Sequence, residues 1–168
     1  PQERSQDRQI RTLHSGTGLQ IAGAGTGIWQ AGRILLIRHT EHAGGHGYWA
    51  IPGGGIELGE TEEECVRREM FEETALEVQV ERLLLDEAGI PGGVYQRLKT
   101  YLCQSISGEA RPGYEPEDAA SDQCEYTITA VAWFDLRDPA TWGAELCANP
   151  ITFPLLQRIR AALGYGLA

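Results

Sequence analysis

The chain has 168 residues and a net charge of −10, from 14 Lys plus Arg against 24 Asp plus Glu, a size that suits one domain burying roughly 70% of the surface its unfolded form exposes. At 42% hydrophobic and 23% charged residues it is neither a disordered nor a fibrous sequence, and its negative charge disfavours DNA as a partner. The longest aliphatic run, Ile34 to Ile37, falls far short of the ~18 residues a membrane helix needs, and the polar start lacks a signal peptide's apolar centre, so a cytoplasmic protein without a membrane partner is expected.

Residues 1–14 are polar and weakly patterned and read as an N-terminal arm, leaving 15–168 as the folded domain. The stretch 15–27 carries five glycines around a short apolar segment and reads as an arm or edge hairpin. Arg33 to Arg38 is an apolar block with charged ends, the pattern of a buried central strand. Thr40 to Gly47, rich in glycine and histidine, reads as a mobile loop before a second short strand over Tyr48–Ile51. Thr61 followed by Glu64 makes a capping box and predicts a helix over 61–74 with acids crowding its first turn. Val78–Leu85 and Val94–Ile106 alternate as strands and are joined through the turn at 89–93 into a hairpin. Ser107–Ser121 is an acidic loop, Tyr126–Phe134 a further strand, and Pro150–Leu163 an amphipathic closing helix carrying Phe153, Leu156, Ile159 and Leu163. Strands interrupted by one early and one late helix point to the α/β class, with a mixed sheet flanked by helices. Cys65, Cys103, Cys124 and Cys147 are too scattered for a Cys-x-x-Cys motif and read as reduced thiols.

The helix predicted from Thr61 places Glu69, Glu72 and Glu73 at i, i+3 and i+4, so three carboxylates share one face within about 5–6 Å at the Cβ level. Each like-charge pair costs roughly 0.2–0.5 kcal/mol in a bare helix. The cluster therefore calls for a cation beyond Arg68, and oxygen-only ligands favour Mg²⁺ or Mn²⁺. Just upstream, Gly53, Gly54 and Gly55 let a phosphate or metal approach the backbone. A plain solvated acidic face would explain the glutamates but not a glycine loop at fixed offset.

From Gly54 there are five residues to Glu60, seven more to Arg68, and then Arg68-Glu69-Met70-Phe71-Glu72-Glu73-Thr74-Ala75-Leu76. This resembles the Nudix box, Gly-x5-Glu-x7-Arg-Glu-U-x-Glu-Glu-x-Gly-U with U aliphatic, and departs from it only at Ala75. The family's glycine there implies a left-handed helix end, where alanine costs on the order of 1 kcal/mol. The resemblance implies a Nudix-type α/β/α sandwich and attack of water on the diphosphate of a small nucleotide-type substrate. It implies a divalent metal, Mg²⁺ or alternatively Mn²⁺, on Glu69, Glu72 and Glu73 with a carbonyl near Gly53 and Gly54. Arg68 would orient the glutamates, and Glu60 would support the loop or bind an outer metal. The general base stays open between Glu73 and Glu117, the latter in a loop whose acids, Glu115, Glu117, Asp118 and Asp122, also read as solvated surface. Relatives are commonly homodimers.

Arg38 and Trp49 are candidate substrate contacts for phosphate and base, although an aromatic before a turn is as often core packing. His39, His42 and His46 raise zinc as an option, which the glycine-rich setting of the last two opposes. Gly23 to Gly27 is superficially a dinucleotide fingerprint, with Ile28 at its last glycine position and no helix pattern after it. Pro91, fifteen residues past the box, resembles the mark of ADP-ribose hydrolases, and Tyr95 keeps dinucleoside polyphosphates open. Nucleoside triphosphates, RNA 5′-end pyrophosphate removal and a non-catalytic nucleotide sensor complete the alternatives.

Overall fold

The computed structural model describes residues 19–25, 32–89, 91, 95–113 and 126–166. Two sheets lie between helices, and which side chains are buried on each face explains the arrangement. The strands are β1 (Leu19–Gly25), β2 (Arg33–Glu41), β3 (Gly47–Ala50), β4 (Gly53–Gly55), β5 (Glu77–Ala88), β6 (Arg97–Ser107) and β7 (Tyr126–Asp135). The helices are α1 (Glu62–Thr74), the short α2 (Gly143–Cys147) after a 3-10 turn at Pro139–Thr141, and α3 (Thr152–Ala162). One sheet runs β4-β1-β6-β5, with β1 and β6 parallel and its other pairs antiparallel; the second runs β3-β2-β7 and is antiparallel throughout.

Alternation along β2 splits its apolar block between two cores. Leu35 packs with Cys65, Val66 and Met70 of α1 and with Tyr101 and Cys103 of β6. Ile34 and Leu36 face the other way, toward Leu102, Leu146 of α2, and Leu156 and Ile159 of α3. Helices thus cover both faces of the strands, the expected α/β/α sandwich.

Three expectations are corrected. The glycine-rich segment near residue 20 is no edge hairpin: β1 is an interior strand, held between β4 and β6. Gly53–Gly55 is not only a loop but a strand, paired with β1 as Ala22↔Gly53, Ile21↔Gly54 and Gln20↔Gly55. Glycine is a poor strand former, so this pairing is imposed by a partner about thirty residues away. β2 also runs on to Glu41, which shortens the expected loop after it.

The capping box forms as expected. Thr61 Oγ1 accepts the Glu64 amide at 3.3 Å while the Glu64 carboxylate accepts the Thr61 amide at 2.8 Å. Ala75 ends α1 at φ 60°, ψ 18°, the left-handed conformation that the family's glycine implies. Beyond it, the Gly113 and Arg111 amides donate to the Glu73 and Thr74 carbonyls at 2.9 and 3.0 Å. These bonds satisfy helix-end carbonyls and seat the segment after β6 against the helix carrying the glutamates. The N-terminal arm and most of the acidic loop lie outside the described residues.

Candidate active site

A cavity of about 840 Å³ opens where α1 faces the glycine strand. Glu69, Glu72 and Glu73 all line it, together with Arg68 and Gly53, Gly54 and Gly55. The glycines are needed at close quarters. Gly53 has φ 146°, which L side chains rarely adopt, and a Cβ on Gly54 would lie 2.3 Å from Glu69 Oε1.

Arg68 is the organiser of this site. Its Nε and Nη2 donate to the two oxygens of Glu60 at 2.8 and 3.0 Å, a bidentate pairing that a lysine could not reproduce. Nη2 also reaches the Gly55 carbonyl at 3.0 Å, and Nη1 bridges Glu69 at 2.8 Å and Glu72 at 3.2 Å. The hydrogen bond it donates to Glu60 raises the Arg68 pKa further above its ordinary value, and Arg68 in turn lowers that of Glu60. Glu60 also accepts the Glu57 amide at 2.9 Å, so it supports the loop. Glu73, only 2% exposed, accepts the Gly53 amide at 2.7 Å. Below the strand, the Cys65 thiol lies 3.4 Å from the Gly55 carbonyl, and burial, then the charges of Glu60 and Glu69, push its pKa up to about 12.

Among the described residues no three His, Cys, Asp or Glu side chains converge into a ready-made metal cage. Glu69 and Glu72 turn to Arg68, and Glu73 to the Gly53 amide. Their donor chemistry nonetheless fits a hard divalent cation, because the three carboxylates line one cavity together with a glycine backbone whose missing side chains allow close approach.

The two other expected substrate contacts are placed elsewhere. Arg38 does not line the cavity; its guanidinium pairs with Glu145 of α2 through bonds of 2.8 and 3.1 Å. Trp49 points to the opposite face of β3, where its ring meets Phe134 edge-on at 5.0 Å in the second core. Alternation explains both corrections: Ile37, His39, Tyr48 and Ala50 face the cavity, so the intervening Arg38 and Trp49 face away. In the sequence His39 stands out only as one of three histidines and Tyr48 only as the start of a strand; the pairing of β2 with β3 brings them together. Asn149, Ile151 and Thr152 also line the cavity, brought there by the start of α3, with no local signal in the sequence. Tyr95 lines it as well, whereas Pro91 is exposed and is not part of the lining. Among the described residues the three histidines do not cluster into a metal-binding group: His42 bonds Thr127, and His39 lies on β2. Glu117 and its neighbouring acids lie outside the described residues.

The NUDIX domain family model matches residues 22–157. The chain belongs to the Nudix family of pyrophosphohydrolases. A MutT-like protein of Streptomyces ambofaciens is 41% identical over 136 residues, covering 81% of this chain and 73% of that one. The NAD-capped RNA hydrolase NudC of Photobacterium profundum is 34% identical over 84 residues, which span 49% of this chain and only 30% of that protein. Among solved structures, an ADP-ribose pyrophosphatase from Streptococcus suis superposes with a TM-score of 0.61 at 20% identity, over 89% of this chain and 91% of that one. A MutT Nudix hydrolase from Burkholderia pseudomallei gives 0.55 at 29% identity, over 88% and 96%. These superpositions match the Nudix fold along most of the chain. Among the described residues no helix is long and apolar enough to cross a membrane.

Proposed function

We propose that this Nudix protein cleaves the diphosphate of a small nucleoside diphosphate derivative, of the ADP-ribose or nucleoside triphosphate type, with Mg²⁺ or Mn²⁺ as cofactor and in the cytoplasm. The observation that carries this reading is the placement of Glu69, Glu72 and Glu73 on one cavity wall against the backbone of Gly53, Gly54 and Gly55. A divalent cation bound there supplies charge screening for the diphosphate and lowers the pKa of the attacking water.

The protein's own groups do the rest. Glu69, Glu72 and Glu73 would hold the cation, with a carbonyl at Gly53 as a further ligand. Arg68, fixed by Glu60 and Gly55, sets the orientation of Glu69 and Glu72. The glycine strand lets the phosphates lie against backbone with no side chain between. Glu73 or Glu117 accepts the proton of the water, and the products are a nucleoside monophosphate and a phosphorylated remainder, or pyrophosphate from a triphosphate. The assembly state stays open between a monomer and a homodimer.

The similarity to NAD-capped RNA hydrolases brings capped RNA ends into the same panel, although a net charge of −10 opposes a long RNA. Incubation with ADP-ribose, nucleoside triphosphates, dinucleotides and a capped oligonucleotide, with Mg²⁺, Mn²⁺ or EDTA, followed by chromatography of the products, tests the proposal. Metal-dependent release of a nucleoside monophosphate is the expected result. Nucleotides that bind but stay intact would replace it with a sensor on a Nudix scaffold.

A further inference from the structure

The cavity has a second wall that the chemistry above does not use. His39 of β2 and Tyr48 of β3 are register partners on adjacent strands, both line the cavity, and their rings stack with centroids 5.2 Å apart and planes 18° apart. Tyr126, at the start of β7, meets both edge-on, at 6.1 and 6.2 Å. Core packing does not require this pair: the core face of β3 is already filled by Trp49 against Phe134. From Tyr48, two residues of strand, about 7 Å, lead to Ala50 and then through Pro52 to the glycines. The cavity is therefore lined by carboxylates and bare backbone, by the register pair Ile37 and Ala50, and two residues further along the strands by a flat aromatic pair.

An anionic group joined to a planar, weakly polar one matches this gradient. We infer that His39 and Tyr48 form the shelf on which the base of the nucleotide stacks, and so determine specificity for nucleotides over other diphosphates. The inference rests on the hydrolase reading for the position of the phosphates. The base continues the existing stack, an interaction that tolerates different bases because each has a π face.

The test measures binding of AMP and of base-free ribose 5-phosphate by calorimetry to the unaltered protein, Tyr48→Leu, His39→Leu and Tyr48→Phe, with thermal unfolding recorded for each. Tyr48→Leu and His39→Leu should weaken AMP about tenfold or more and leave ribose 5-phosphate where it was, while Tyr48→Phe keeps AMP affinity. Equal losses for both ligands, or no loss for AMP, would overturn the shelf. Photolabelling of the unaltered protein with 8-azido-AMP removes any dependence on how the variants fold. Label on the segment holding His39 and Tyr48 supports the inference, and label confined to other segments refutes it. Ring-dependent AMP binding without turnover would keep the shelf and sink the hydrolase proposal, whereas turnover with ring-independent binding would do the reverse.

Discussion

The Glu73 carboxylate and the Gly53 amide are joined by a 2.7 Å hydrogen bond across twenty residues, which locks the glutamate helix to the glycine strand at the point where the chemistry is proposed. Glu73→Gln keeps an oxygen to accept that amide but removes the charge. Turnover should fall by on the order of 10²–10⁴-fold, the range for a group that handles protons or charge at a reacting centre. The melting temperature should barely move. Steady-state kinetics beside circular dichroism check this, and unchanged kcat would remove Glu73 from the site.

Gly54→Ala tests the close approach. The new Cβ would sit 2.3 Å from Glu69 Oε1, the far end of a flexible side chain, so the carboxylate swings aside while the backbone stays. Activity should drop about 10–100-fold, the scale seen when a group orienting a metal ligand is lost. Titration with Mn²⁺ should show weaker binding, and thermal stability should change little.

Arg68 and Glu60 give a pH signature. Chiefly through its hydrogen bond with Arg68, Glu60 titrates below its ordinary 4.5 in the folded protein. Because the folded pKa is the lower one, the pair contributes stability above about pH 4.5, and that contribution is lost as pH falls through the folded value. Glu60→Gln should therefore flatten the acid limb of a melting-temperature profile between pH 6 and 3. Arg68→Ala, which strands three carboxylates, should cost about 1.5–3 kcal/mol by denaturant unfolding at neutral pH.

Ala75→Gly should stabilise the protein. The residue holds φ 60°, the sole non-glycine positive φ among the described residues, and relief of that strain outweighs the added freedom of glycine in the unfolded chain. A net gain of about 0.5–1 kcal/mol corresponds to a rise of roughly 1–4 °C for a chain of this size. Differential scanning calorimetry checks the sign, and kcat should be unaffected because Ala75 does not line the cavity.

Features written in short spacings were readable from the order of residues alone. The capping box at Thr61 and Glu64, the common face of Glu69, Glu72 and Glu73 and the buried block of β2 are all set by contacts within one or two turns or by period-two alternation, while the left-handed end at Ala75 was implied by the family resemblance. Long-range packing set the pairing of Gly53–Gly55 with β1, the turn of Arg38 toward Glu145 and of Trp49 toward the core, and the placing of His39, Tyr48 and the start of α3 around the cavity. Which face of a strand looks into a cavity depends on what packs on each side, and those partners come from segments as far as 107 residues away, whose approach no local pattern encodes.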